Sequence, residues 1–498
     1  MIRKVLIANR GEIAVRIVRA LREAGIASIA VYSDADRRSL HVRLADEAVH
    51  VGPAASSESY LNIPRILNAA RERAADAVHP GYGFLSENAE FAAACETAGL
   101  IFIGPSSDSI RMMGSKTRAR KVAAEAKVPV VPGTTDAISD PAEALRVATE
   151  IGFPVMIKAA AGGGGKGMRS VRTETELHAA LRDAASEAQR SFGNGEVYIE
   201  KLLERPRHIE IQVLGDRSGH IVHLGERECS VQRRHQKVVE ECPSPLMTEY
   251  PELRHRMGEA AVQIGKAAGY HNVGTVEFLV DNQQNFYFLE MNTRLQVEHP
   301  VTELVTGIDL VQWQLRIADG KPLTLSQEHI HWRGHAVECR LYAEDPDNNF
   351  FPSPGEITAV ALPSGPGVRL DSTITLPHII PLEYDPLLAK LAVHAETRDA
   401  ALARMRRAVA ETYIGGIKTN VSFFSELFLD EEFCAGRLHT GLLSEFLARR
   451  ERNSSDPKFQ QVAALVALAA SRRQQRQSLS PADSSSRWLR DGRLQLLR

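Results

Sequence analysis

Residues 273–292 read Val-Gly-Thr-Val-Glu-Phe-Leu-Val-Asp-Asn-Gln-Gln-Asn-Phe-Tyr-Phe-Leu-Glu-Met-Asn, two alternating runs about a polar turn, and so predict a β-hairpin. Successive strand residues face opposite ways, so Thr275, Glu277 and Leu279 are expected on one face of the first strand and Phe288, Glu290 and Asn292 on one face of the second. With residues 282–285 as a four-residue loop, Glu277 falls opposite Glu290. Like charges directly opposed destabilise a sheet, so the pair calls for a countercharge. Two surface glutamates beside Lys or Arg would have one. So would a hard divalent cation on the oxygens of Glu277, Glu290 and Asn292, and magnesium bridging nucleotide phosphates suits that donor set.

Residues 156–171, MIKAAAGGGGKGMRSV, place four consecutive glycines between Lys158 and Lys166. Glycine gives up more backbone entropy on folding than any other residue, so such a run needs a reason. Gly162, Gly164 and Gly167 formally match G-x-G-x-x-G, but the run follows one strand-like segment, 153–158, and leads into another, 168–171, where a dinucleotide site needs a helix. Gly167 after Lys166 also excludes a Walker A loop, which needs Ser or Thr there. A strand–glycine loop–strand unit is either a flexible hairpin tip or a flap that folds over phosphates and offers them backbone N–H groups. Lysines on both flanks favour the flap.

After the hairpin come Thr293-Arg294-Leu295-Gln296-Val297-Glu298-His299-Pro300. If this stretch is extended, Arg294, Gln296 and Glu298 project together: a guanidinium fork, an amide and a carboxylate, suited to a small planar anion that must be held and deprotonated. A salt-bridged surface loop has the same composition.

These groups need a scaffold. Residues 4–8 read as a buried strand, Ile13, Ile17, Ala20, Leu21 and Ala24 recur at helical spacing, Gly25 stops that helix, and 27–32 is strand-like again. Helix at 60–70, strand at 77–79, helix at 88–98 and strand at 100–103 continue the alternation, which predicts an open, mostly parallel sheet with helices on its faces. A helix at 116–126, strand-like runs over 153–230, a long helix at 252–268 and a second β-rich region over 272–440 follow. Residues 449–455 read as a linker, 462–470 as a short apolar helix, and 472–486 as a polar low-complexity stretch.

The 498 residues, 44% hydrophobic and 24% charged, have the make-up of a globular protein of about three domains. No apolar run approaches the roughly 18–20 residues of a membrane helix, and the N-terminus enters a strand rather than a secretory segment. Five scattered cysteines without a CxxC pair argue against a disulfide framework or a structural zinc site, so a cytoplasmic protein is expected. Net charge −2 conceals an asymmetry: from Arg449 onward eleven Lys and Arg face four Asp and Glu, leaving the body near −9. A basic tail could touch an acidic partner, but the body has no basic-aromatic stacking platform, so neither nucleic acid nor membrane is expected as a partner.

In this order the motifs resemble the ATP-grasp enzymes, and more narrowly the biotin carboxylases. The resemblance also rests on Ala8-Asn9-Arg10-Gly11-Glu12-Ile13-Ala14, on residues 79–88 (HPGYGFLSEN), on Gly104-Pro105, on 226–237 (ERECSVQRRHQK) and on 334–340 (GHAVECR), and it runs unbroken over about 1–445. It implies an α/β chain with a Rossmann-like N-terminal domain at 1–114 and an ATP-grasp domain at 115–325 whose glycine-rich lid spans about 130–204. An α+β C-terminal biotin carboxylase domain at 334–445 and a basic, possible docking tail at 450–498 complete it.

The same resemblance implies roles. Lys116, Lys158, Gly163, Gly164, Gly165, Lys166 and Gly167 would grip ATP phosphates, and Glu200, Lys201 and Leu203 would hold the adenine. His208, Gln232, His235 and Lys237 would line the nucleotide and phosphate site. Glu277 and Glu290, assisted by Asn292, would bind two magnesium or manganese ions. Bicarbonate would lie on Arg294, Gln296, Lys237 and the backbone of Val297, with Glu298 as the base that deprotonates it. Arg340 would stabilise enolate-like biotin, and Tyr82 would lie near the biotin ring. Because the chain contains no Met-Lys pair, biotin is expected on a separate carrier protein, with a carboxyltransferase subunit of an acetyl- or acyl-CoA carboxylase as a further partner and a homodimer through Arg19 and Glu23. The family's usual glycine before Tyr384-Asp385-Pro386 is not evident. Another ATP-grasp ligase and a silent nucleotide-binding scaffold are the competing readings.

Overall fold

The computed structural model describes residues 1–134, 137–138, 140–160 and 167–454, with Leu465 and Leu468. Gly162, Gly163, Gly164, Gly165 and Lys166 lie outside the described residues, as do the rest of 462–470, the 472–486 stretch and the end of the tail. The chain divides into Met1–Leu443 and Ser444–Arg498.

The apolar runs at the start form a parallel sheet of β1 (Lys4–Ile7), β2 (Ala27–Ser33), β3 (Glu47–Gly52), β4 (Ala77–His79) and β5 (Ile101–Phe102), in the order β3-β2-β1-β4-β5. The first helix, α1 (Gly11–Glu23), buries Ile13, Ile17, Ala20 and Leu21, the residues whose spacing predicts it, and Gly25 ends it at φ +69°. The sequence-predicted helix at 60–70 is displaced to Ile63–Glu72, because Asn62 caps it by accepting from the Arg65 amide and Pro64 follows in its first turn.

Helix α2 (Lys116–Glu125) leads to a three-stranded antiparallel sheet, β6 (Val155–Ala159), β7 (Met168–Val171) and β8 (Val197–Lys201), with β6 in the centre. The expected strands on either side of 161–166 are thus present and pair antiparallel. Gly167, at φ +69°, packs so close that a Cβ there would lie 2.8 Å from that of Ala159.

The site is carried by one eight-stranded antiparallel sheet. Its strands are β9 (Arg207–Gly215), β10 (Ile221–Arg233), β11 (Gln236–Cys242), β12 (Asn272–Val280), β13 (Phe286–Asn292), β14 (His335–Tyr342), β15 (Val368–Ser372) and β16 (Leu387–Ala395), in the order β13-β12-β9-β10-β11-β14-β16-β15. The β11–β14 pairing joins strands from the expected central and C-terminal segments into one hydrogen-bonded surface. Helix α3 (Pro251–Ala267) covers one face, burying Leu253, Met257, Ala261 and Ile264 against Ile209, Ile211, Val276 and Phe278. Helix α4 (His299–Thr306) packs near β10, β14 and β16.

The hairpin β12–β13 places Glu277 opposite Glu290, as expected, but by a different route. The loop has five residues, 281–285, and a bulge at Leu289 restores the register. That extra residue reverses the facing of what precedes it. Phe288 lies in the core with Val276, Phe278 and Met291, not beside Glu290 as strict alternation predicts. A second correction concerns 449–455: helix Leu442–Ser454 runs through most of this expected linker, whose three arginines and one glutamate are good helix formers. No helix among the described residues is long and apolar enough to cross a membrane. The five cysteines are all free thiols.

Candidate active site

Lys237, near the start of β11, is the hub. It is paired across the strand with Gln232 of β10, and its ammonium lies 2.5 Å from Glu210, 2.8 Å from Glu277 and 2.7 Å from Glu298. Burial alone would lower its pKa, but three carboxylates hold it well above the ordinary lysine value. Glu298 opens α4 at φ −80°, ψ 12°, a sparsely populated region of backbone space where active-site residues recur. Its other oxygen lies 2.8 Å from the Arg340 guanidinium. Burial would raise the Glu298 carboxyl, yet Lys237, Arg340 and Arg227 together keep it well below the usual range. Arg340, on β14, donates from Nε to Glu240 at 2.7 Å and is itself buried.

Glu277 receives Lys237 and the amides of Asn292 (2.8 Å) and Gln296 (2.9 Å), with His208 Nε2 2.8 Å away. Gln232 donates to His208 Nδ1 at 2.6 Å, which leaves the ring proton on Nε2, close to Glu277 but not aligned to hydrogen-bond with it. Burial opposes the charge, but these partners hold the Glu277 carboxyl well below its ordinary value. Glu290 is the converse: burial, then the charge of Glu277, raises its carboxyl, and Lys116 at the first position of α2 opposes the rise. Glu290 has no hydrogen-bond or ion-pair partner among the described residues. A carboxylate facing a second one without its own counterion fits a divalent cation, and Asn292, two residues on, adds an amide oxygen to the donor set.

Arg294, Gln296 and Glu298 were expected to project together from an extended stretch, but the segment turns into α4 instead of forming a strand. Gln296 Oε1 accepts from Arg227 at 3.2 Å, which turns its amide nitrogen toward Glu277. Arg294 donates to Glu87 at 2.9 Å and to Asn292 Oδ1 at 3.2 Å, so its fork is aimed before any ligand arrives. Val297 places its carbonyl on Lys390.

Toward the lid sheet, Lys158 is buried and paired with Glu200, which also accepts from Arg120 at 3.1 Å. Lys201 donates to the Gly152 and Phe153 carbonyls at 2.9 and 3.1 Å. The side chains of Glu200 and Lys201 are thus engaged within the protein. Burial lowers the pKa of Lys116, with Glu290 and Glu200 opposing. Arg234 and His235 form the two-residue turn of the β10–β11 hairpin, both at positive φ, and His235 sits exposed at its tip. Tyr82 lies with its ring centre 5.7 Å from Lys390 Nζ, its carbonyl held by Asn9 at 2.8 Å.

Sequence reasoning missed the supporting layer. Arg227 of β10 is fully buried and uses all five N–H donors, on Glu210, Gln212, Thr302, Thr275 and Gln296. Glu210, Glu240 and Lys390 were likewise without a role. Their signal is charged residues set within otherwise apolar strands, as in Ile209-Glu210-Ile211, Gly225-Glu226-Arg227-Glu228-Cys229, Val239-Glu240-Glu241-Cys242 and Ala389-Lys390-Leu391.

Family models for the biotin carboxylase N-terminal domain, the carbamoyl-phosphate synthase L chain ATP-binding domain and the biotin carboxylase C-terminal domain match residues 1–110, 115–326 and 338–445. Biotin carboxylase 1 of Bacillus subtilis is 53% identical over 447 residues, 90% of this chain and 99% of that protein. The biotin carboxylase–βγ-ATP complex from Campylobacter jejuni superposes with a TM-score of 0.87 at 47% identity, over 89% of this chain and 99% of the other. The biotin carboxylase domain dimer of Hydrogenobacter thermophilus 2-oxoglutarate carboxylase, in complex with MgADP, ADP and bicarbonate, does so with a TM-score of 0.86 at 47% identity, over 89% and 98%. With half its residues shared over nine-tenths of its length, and with both biotin carboxylase flanking-domain models matched, the chain belongs to the biotin carboxylase family.

Proposed function

We propose that this chain uses ATP to join bicarbonate to biotin on a separate carrier, through carboxyphosphate, and that Glu298 is the base. The observation that supports this most is Glu298 held between Lys237 at 2.7 Å and Arg340 at 2.8 Å, an ionised carboxylate between two cations of separate strands. Its low pKa makes it a weak base while it stands alone. As an anionic substrate draws Lys237 and Arg340 to itself, their hold on Glu298 loosens and its basicity rises where the proton is to be taken.

Glu298 removes the proton of bicarbonate, an oxygen of the resulting carbonate attacks the γ-phosphorus of ATP, and the bond to ADP breaks. Lys116, Lys158 and the glycine flap steady the phosphates, while Arg294, Gln296 and the Val297 amide orient the carbonate. Glu277, Glu290 and Asn292 would hold magnesium, which when bound would supply neutralisation of phosphate charge. The carboxyl group then passes to biotin N1, whose proton departs with the released phosphate, and Arg340 stabilises the oxyanion on the biotin ring. Carboxyphosphate hydrolyses in water, which gives a closing flap its purpose.

The carrier and a carboxyltransferase are the partners this chemistry requires, and the carboxyltransferase selects the acyl-CoA. A cleft of about 340 Å³ lined by Arg16, Arg19, Glu23, Glu303 and Arg369 carries both signs of charge, as a surface that meets its own copy about a twofold axis requires. ADP release measured with and without bicarbonate and free biotin tests the reading. Dependence on bicarbonate with stimulation by biotin is the expected result, and ADP release indifferent to both overturns it.

A further inference from the structure

The Gln296 and Glu298 carbonyls are taken by the backbone amides of His299 and Val301, each at 3.3 Å, as the chain turns into α4. The carbonyl between them, that of Val297, is left by the turn and accepts instead from Lys390 Nζ at 2.9 Å. Lys390 is wholly buried on β16, opposite Arg340 of β14 on one side and Asp371 of β15 on the other. Its ammonium also lies 3.4 Å from Glu12 of α1 and 3.7 Å from Asp371.

We propose that Lys390 is a positioning residue for the carboxylate base: by holding the Val297 carbonyl it fixes the peptide plane that places Glu298. That plane sets ψ of Val297 and φ of Glu298, so the Glu298 backbone is held from behind while Lys237 and Arg340 hold its carboxylate in front. The bond also ties α1, the bicarbonate turn and β16 together through one ammonium. A lysine that merely neutralised Glu12 and Asp371 would have no need of the carbonyl. The proposal rests on the reading of Glu298 given above.

The experiment compares full-length wild type, Lys390→Met, and Lys390→Met combined with Glu12→Gln, which leaves the charge of the pair unchanged. ADP release is followed against bicarbonate and against ATP, with thermal unfolding of each protein alongside. Loss of a charge-assisted hydrogen bond that aims the base is expected to lower kcat/KM for bicarbonate by about 10- to 100-fold in both variants, with KM for ATP within about twofold. The double variant is expected to regain thermal stability without regaining kcat/KM. Recovery of kcat/KM together with stability, or a parallel change in both substrates, overturns the proposal. Wild type without bicarbonate-dependent ADP release would instead refute the function itself.

Discussion

Glu277 and Glu290 face one another across β12 and β13, yet they live in opposite electrostatic worlds: Lys237, Asn292 and Gln296 donate to Glu277, and no donor among the described residues reaches Glu290. The asymmetry leaves a place on the Glu290 side for positive charge.

Glu290→Gln is therefore expected to do two things at once. The raised Glu290 carboxyl means that its ionisation opposes folding above the ordinary glutamate range, so the variant without ligands should be more stable than wild type near neutral pH. Metal binding needs the ionised form, so stabilisation by magnesium or manganese should grow with pH in wild type and vanish in the variant. Thermal unfolding with and without metal across pH reads both.

Glu298→Gln keeps the shape of the side chain and removes the base. Bicarbonate-dependent ADP release is expected to fall by about 10²–10⁴-fold, the usual worth of a positioned general base. ATP binding, followed by nucleotide-induced thermal stabilisation, should persist.

Arg227→Met should be among the costliest single changes in the chain. It leaves Oε1 of the buried Glu210 without its partner, Lys237 holding only Oε2, and frees Gln296 to turn over. A loss of about 3–5 kcal/mol in urea unfolding is expected, the range for breaking a buried ion pair from one side.

Glu12 is buried, and withdrawal from water pushes its carboxyl up from 4.5 to about 7 against the pull of Lys390. Between those values the folded protein holds a proton that the unfolded chain has released, so this group's contribution to stability falls as pH rises from 4.5 to about 7 and then levels. Glu12→Gln should flatten that slope and raise the unfolding midpoint at pH 8. An unchanged pH dependence would remove the assignment.

Part of the candidate site was legible because strand alternation reports which side chains share a face, as for the carboxylate pair at 277 and 290. Alternation did not carry over to Arg294–Glu298, which turns instead of running extended, and Lys237 was reached only through the family resemblance. What stayed hidden depends on contacts distant in sequence: Lys390 reaches Val297 across 93 positions, and Arg340 reaches Glu240 across 100. No period or motif encodes which strands neighbour one another in the eight-stranded sheet, so the pairing of β11 with β14, which brings Arg340 to Glu298, had no local signature. The helix through 449–454 was missed for the opposite reason, since charge-rich composition outweighed good local propensity in the reading.

The extra residue at Leu289 has an evolutionary corollary. It divides the hairpin into a tip, where Phe286 and Phe288 answer to the core, and a base, where Glu290 and Asn292 lie at the candidate site. Insertions or deletions among residues 281–285 can be absorbed on the tip side of this joint, so homologous chains are free to vary their loop lengths there while the acidic end keeps its place.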